Sequence, residues 1–444
     1  MGHQDLLKRK HRIDWLNQRW RQYVNIFGLL RSGNAQTANS RGKCNPTSAH
    51  AQPGTDQGLG ALSLGGKFPT VAEGKGGRLK KKKKMTARLL RTALALLFFG
   101  LFGVLEATTI SCRNEEGEAV DWFTFYKLPK RQDKESRQTG LEYLYLDSTT
   151  RSWKRSKLLM NTTKSVLGRT LQQLYEAYAS KNNNTAYLLY NDGVPTSVNY
   201  SRKYGHTKGL LLWNRVQGIW LIHSIPRFPP TPEEGYDYPP TGRRHGQTGI
   251  CVTFKYNQYE AIDSQLLIYN PNIYSCSIPA IFHQELVHMP QLCSGSSSSE
   301  IPGKHLTALQ SARGQKFLHF AKSDSFLDDI FAAWMAQHLK THLLTETWQR
   351  KRQELPSNCS LPYHVYNVKA IKISGQSYFS SYQDHAKWCV SQKRTKNRWT
   401  CIGDLNRSPY QAFRSGGFIC TQNQLIYHAF QGLVLYYEPC NSTW

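Results

Sequence analysis

The chain has 10 cysteines but no Cys-x-x-Cys pair, which excludes a zinc ribbon. Its longest apolar run, Ala93 to Leu105, has 13 residues, and a helix needs roughly 20 to cross a bilayer. Acidic residues are scarce: 30 Asp+Glu face 57 Lys+Arg, a formal net charge of +27. The excess is uneven. Residues 1–106 hold 19 basic against 5 acidic residues, and the rest holds 38 against 25, or +13. A basic globular body suits a polyanionic partner, but secreted proteins are often basic without one.

The apolar run reads as the core of a secretory signal. Met85 begins it, Arg88 and Arg91 supply the positive flank, and a cleavage point follows Ala107. Residues 32–84 are rich in Gly, Ser, Gln and Lys and end in the basic run Lys80 to Lys84. They lack apolar periodicity, so 1–84 is expected to be a disordered basic extension with no part in the fold. Residues 85–107 are expected to be a signal peptide.

Two triplets, His206-Thr207-Lys208 and His385-Ala386-Lys387, lie 179 residues apart in matching surroundings. Each opens an apolar run, passes a polar turn and enters a second apolar run, the pattern of a hairpin. Side chains at i and i+2 share one face of a strand, so each triplet aims an imidazole and an ammonium the same way. Two such hairpins suggest an internal duplication whose halves meet at a phosphodiester pocket. Histidine can act as nucleophile, base or acid near its reference pKa of roughly 6.5. Lysine can hold non-bridging phosphate oxygens and offset developing charge. A lone His-x-Lys is a weak signal; its repetition within matched hairpins is the informative part.

From about Ile110 to Cys440 the chain resembles the deoxyribonuclease II family. The segments that carry the likeness are VDWFTFYKLPK, LEYLYLDS, LYNDGVP, GHTKGLLLWN, HSIPRFPP, DHAKWCV and CIGDLNRS. The resemblance implies a phospholipase D-like architecture and an acid endonuclease of lysosomes, secreted as an alternative destination. It requires no metal and no cofactor, takes DNA as substrate and leaves 3′-phosphate ends. It implies His385, His206, Lys387 and Lys208 as catalytic residues, one imidazole attacking phosphorus and the other protonating the leaving oxygen. Which imidazole attacks is left open, with His385 favoured as the indispensable one. Neither triplet carries the Asp that follows at a short fixed gap in phospholipase D itself, which argues against headgroup exchange. Asp404, Asn406, Asn214 and His223, near the ends of the hairpin strands, are expected to bind substrate.

Nine cysteines follow the extension, an odd number. The resemblance implies bridges Cys112–Cys251, Cys359–Cys440 and Cys401–Cys420. Cys276 and Cys293 then form a fourth, leaving Cys389 free. Five sequons, Asn161, Asn183, Asn199, Asn358 and Asn441, agree with a secreted glycoprotein, whose N-glycans would engage lysosomal sorting machinery. His338, His342 and Glu346 would share a face of a helix over 325–352 opened by Ser325-x-x-Asp328. That spacing could bind zinc, but a solvated face is the plainer reading.

The expected fold is mixed α/β (α+β), with two pseudo-symmetric phospholipase D-like halves, each a sheet with packed helices, sharing one active site. The N-terminal half is 108–300 and the C-terminal half 301–444. Strands are expected at 120–128, 142–147, 186–190, 208–213, 218–224, 250–256, 265–269, 364–373, 387–392, 398–403 and 433–438. Helices are expected at 165–180, 279–289, 305–312 and 325–352. Two other functional classes stay open: a phospholipase D-like phosphodiesterase, and a non-catalytic basic glycoprotein that binds DNA or heparin.

Overall fold

A computed structural model describes residues 91–92 and 109–440, apart from 134–135, 182, 196, 198–202, 297–299, 349–352 and 375–376. The expected extension, nearly all of the expected signal segment, and the sequons at Asn199 and Asn441 lie outside the described residues.

Alternating apolar side chains build the first sheet. Its strands are β1 (Trp122–Lys127), β2 (Tyr143–Asp147), β3 (Lys154–Arg155), β4 (Thr185–Asn191), β5 (Lys208–Asn214), β6 (Gln217–His223), β7 (Gln247–Lys255) and β8 (Ile273–Ser277). They are hydrogen-bonded in the order β8-β4-β5-β6-β7-β1-β2-β3. Both faces are buried. Phe123, Phe125, Leu189, Leu210, Leu212 and Leu221 pack to one side with helix α1 (Val166–Ser180). Trp122, Tyr126, Leu188, Leu211, Trp213 and Trp220 pack to the other. That strict period of two is what a sheet covered on both sides demands. Helix α1 is capped by Ser165, whose side chain accepts from the Gly168 N–H, and it ends at Lys181 in the left-handed region.

The second sheet comprises β9 (Lys304–Gln310), β10 (Lys316–Lys322), β11 (Leu343–Glu346), β12 (Val365–Ser374), β13 (Ser377–Ser380), β14 (Trp388–Ser391), β15 (Thr400–Gly403), β16 (Gly416–Thr421) and β17 (Val434–Tyr437). Its order is β9-β10-β16-β15-β14-β11-β12-β13, with β17 also on β12. The inner faces of both sheets share one core, which takes in helices α2 (Tyr259–Tyr269) and α5 (Ile426 to Phe430 of Gln424–Gln431). A helical segment over 330–339 covers the second sheet's outer face.

Several expected elements differ. The long helix 325–352 is cut to a π-helical turn over Ile330–Met335 and a short α4 (Ala336–Leu339). Its cap is Asp329, which accepts from the Phe331 N–H, rather than Ser325. Residues 343–346 leave the helix because β11 is needed between β14 and β12. His338, His342 and Glu346 therefore do not share a helix face. The expected helix 305–312 is strand β9, held in a hairpin with β10 from Lys304↔Lys322 to Gln310↔Lys316, so tertiary pairing overrides local propensity. The expected strand 265–269 is the end of α2. In place of a helix at 279–289 there is a 3₁₀ turn, Ala280–Phe282, followed by α3 (His288–Cys293). The Pro-rich loop 225–241 turns inward and buries Ile225, Phe228 and Tyr238.

All four implied disulfides form: Cys112–Cys251, Cys276–Cys293, Cys359–Cys440 and Cys401–Cys420. Cys389 is free and buried, and burial pushes its thiol up, away from a reactive thiolate.

Candidate active site

His206 stands two residues ahead of Lys208, the first residue of β5, and Lys387 immediately precedes β14, so each triplet leads into a central strand. Every anchor of each imidazole comes from the other sheet's part of the chain. The His206 N–H donates to the Ser415 carbonyl at 2.8 Å, and its Nδ1 lies 2.5 Å from the Asp404 carbonyl. The His385 N–H donates to the Gly246 carbonyl at 2.9 Å. Its Nδ1 lies 3.0 Å from the Ser224 carbonyl and 3.2 Å from Gln247 Oε1. A carbonyl can only accept, so in both rings Nδ1 carries the proton and neutral Nε2 keeps a lone pair.

The lysines are deeper. Lys208 and Lys387 are 2% and 0% exposed, whereas each histidine keeps 9%, so solvent reaches the imidazole edges. Lys208 Nζ sits 2.7 Å from Asp192 Oδ1, close enough for an ion pair but not aligned as a hydrogen bond. Asp192 Oδ2 is 3.6 Å from His206 Nε2 and 3.7 Å from the Arg414 guanidinium. Lys387 Nζ donates to the His385 carbonyl.

Electrostatics tie these groups together. Burial, then Lys208, holds His206 well below the ordinary imidazole value, with Asp192 working the other way. Burial, then Lys387, Lys208 and His206, does the same to His385. Burial and Lys208 push Lys387 far down against Asp384, Asp192 and Asp404. Burial would raise Asp192, but Lys208, His206 and Arg414 outweigh it and keep the carboxyl ionised. Burial lifts Asp404 to about 7; one carboxyl oxygen accepts from the Gly417 N–H and the other has no partner.

The expected substrate-binding residues divide. Asp404 touches His206 through its carbonyl. Asn406 accepts from the Trp348 N–H at 3.2 Å, and the Trp348 ring packs edge-on against His385 at 4.8 Å. His223 is buried; its Nδ1 accepts from the Ile225 N–H, and desolvation holds it neutral, near 3. Asn214 lies elsewhere. It closes the β5–β6 turn by accepting from the Val216 and Gln217 N–H groups, about 20 Å of strand away from Lys208. Among the sequons, Asn183 is exposed and Asn161 and Asn358 are half-buried.

Asp192, Trp348 and Gln247 were not singled out by the sequence reading. The first two lie just past the ends of neighbouring strands. Continuing the β4–β5 register past Asn191↔Lys208 puts Asp192 opposite Thr207, and continuing β11–β14 past Glu346↔Trp388 puts Trp348 opposite Ala386. The acid in LYNDGVP, directly after an apolar strand, was the available signal for Asp192.

A family model described as Deoxyribonuclease II matches residues 111–440. The chain belongs to the deoxyribonuclease II family. It is 86% identical over 359 residues to human Deoxyribonuclease-2-beta, covering 81% of this chain and 99% of that protein. Rat Deoxyribonuclease-2-beta is 65% identical over 357 residues, 80% of this chain and all of its own length. Mouse Deoxyribonuclease-2-alpha is 37% identical over 356 residues, 79% of this chain and 99% of its own. The family region contains both His-x-Lys triplets and every residue placed around them above.

Proposed function

We propose that this chain is an endodeoxyribonuclease that cleaves DNA at acid pH without a metal, through two pseudo-symmetric phospholipase D-like halves, 108–300 and 301–444, that share one active site. The observation that carries this is the crossed anchoring of the two imidazoles, both within electrostatic reach of two buried lysines. His385 Nε2 attacks phosphorus as the P–O5′ bond breaks, and the 5′ oxygen takes the proton from His206 Nε2. Water, deprotonated by His206, then displaces His385 and releases a 3′-phosphate. Lys208 and Lys387 hold the non-bridging oxygens and supply the positive charge that a metal would otherwise supply.

The division of roles follows from Asp192. A carboxylate 3.6 Å from His206 Nε2 favours the imidazolium that a general acid must be. His385 has an aromatic ring at that position and stays neutral, as a nucleophile must. Both imidazoles are held below the ordinary value of about 6.5, so the acid form of His206 is populated only as pH falls. That gives a bell-shaped rate profile centred below neutrality, suited to a lysosomal or secreted enzyme that follows the route of a signal peptide at 85–107.

Plasmid nicking at acid pH by the secreted protein in EDTA tests the reading. Nicking should survive chelation and vanish in His206→Ala and His385→Ala. Strict dependence on Mg²⁺ or Zn²⁺ would overturn it, and DNA binding with no nicking at any pH would favour the non-catalytic alternative.

A further inference from the structure

Two lysines outside the triplets are also buried among backbone carbonyls. Lys127 ends β1 opposite Gln247, and its Nζ donates to the carbonyls of Arg243, at 3.0 Å, and His245. Lys322 ends β10 opposite Gly416, and its Nζ donates to the carbonyls of Ala412, at 3.1 Å, and Arg414, at 2.6 Å, besides that of Ser323. Counted back from the paired residue, both lysines grip the carbonyls four and two positions earlier. The carbonyl one position earlier is, in each case, the anchor of a triplet: Gly246 holds the His385 N–H and Ser415 holds the His206 N–H.

We infer that Lys127 and Lys322 are positioning residues, each clasping the loop that anchors the other half's histidine. Neither ammonium meets the reacting atoms. Each converges two or three carbonyls of an irregular loop on a single buried charge and so fixes the next carbonyl, to which the histidine backbone is tied. Charge-assisted hydrogen bonds are short and directional. The 243–246 loop has one isolated bridge, Gly246 with Asp384, and backbone bonds from Lys130, and the ammonium adds to these in holding the histidine within the fraction of an ångström that catalysis requires. There is little room to substitute for the clasp on the His385 side: a Cβ on Gly246 would lie 2.3 Å from Asp384 Oδ1. The clasp therefore acts crosswise, Lys127 on His385 and Lys322 on His206.

The inference rests on the reading of His206 and His385 as the working pair, and the test separates the two ideas. Lys127→Met and Lys322→Met remove the donors and keep the stem; Lys127→Gln and Lys322→Gln keep two donors without charge. Diethyl pyrocarbonate modification, mapped by peptide mass spectrometry, reports each imidazole without reference to DNA turnover. Lys127→Met should change the modification rate of His385 several-fold and leave His206 alone; Lys322→Met should do the reverse. In parallel, kcat on DNA should fall about 10- to 100-fold with KM nearly constant, and the Gln variants should recover part of it. Equal changes at both histidines, changes confined to the same half, or no change overturn the inference, as does failure of both the Met and the Gln variant of one lysine to be secreted. A crossed pattern in protein that never cleaves DNA would keep the clasp and discard the nuclease reading.

Discussion

Asp192 and Trp348 stand opposite the middle residues of the two triplets, Thr207 and Ala386, yet one is a carboxylate and the other an indole. A second pair differs in the same sense. Ser224 and Asp404 each give a carbonyl to a histidine Nδ1, and each side chain accepts a backbone N–H, from Thr248 and Gly417 respectively, at 3.0 Å. Both acids of these two pairs sit beside His206. Neither sits beside His385, whose neighbours are Trp348, Ser224 and Gln247. On the proposed reading the backbone frame is duplicated while the side chains that set charge are not, which suits two imidazoles with opposite proton requirements.

Removing each imidazole in turn should give the largest effects. His385→Ala should lose on the order of 10⁴-fold or more in kcat, because no group replaces the nucleophile. His206→Ala should lose roughly 10²–10⁴-fold on DNA. A substrate with a p-nitrophenyl leaving group needs no proton from an acid, so it should restore much of the His206→Ala loss and none of the His385→Ala loss. Rescue of His385→Ala alone would exchange the two roles.

Asp404→Ser tests the other acid by making the second half match the first. In the native protein Asp404 titrates at about 7, above its ordinary value of 3.8. The folded state therefore holds a proton that the unfolded chain gives up, and this contribution to stability is present below about pH 4 and lost as pH rises through 7. Asp404→Ser should flatten that fall by a few kcal/mol at neutral pH, read as melting temperature against pH. His206 and His385 act oppositely: with depressed values, their contribution is complete above about pH 6.5 and is lost as pH falls. A variant whose melting profile keeps the wild-type slope between pH 4 and 7 would remove Asp404 as its source.

Asp192→Asn keeps the shape and removes the charge. Losing the carboxylate that raises His206 should shift the alkaline limb of the rate profile to lower pH, with kcat at a fixed mildly acid pH down about tenfold. An unshifted limb would mean that Asp192 serves Lys208 alone.

How much of this the sequence discloses depends on distance along the chain. The triplets are legible because each carries its own i, i+2 geometry, and β4 to β7 are legible because sheets buried on both faces give unbroken apolar runs. Asp192 and Trp348 are not, because their neighbours are set by strand pairing that only the fold fixes. Lys127 and Lys322 look like ordinary strand ends until the loops 243–246 and 412–415 fold back over them. The helix expected over 325–352 fails for a related reason: its amphipathic start is real, but the following Leu-Leu-Thr-Glu is claimed by the centre of a sheet.

Asn214 gives the smallest effect and a control on the whole comparison. Sequence placed it with the substrate-binding residues because it closes the strand that His206 opens. In the fold it sits at the far end of that strand, where its side-chain oxygen organises the turn into β6 through two backbone N–H groups. Its counterpart hairpin, β14–β15, makes its turn with Arg394 in the left-handed region instead, φ 66°. Asn214→Ala should therefore cost about 0.5–1.5 kcal/mol of stability and leave kcat, KM and the pH profile on DNA unchanged. A raised KM with unchanged melting would return Asn214 to the substrate path and require DNA to run along the full length of the first hairpin.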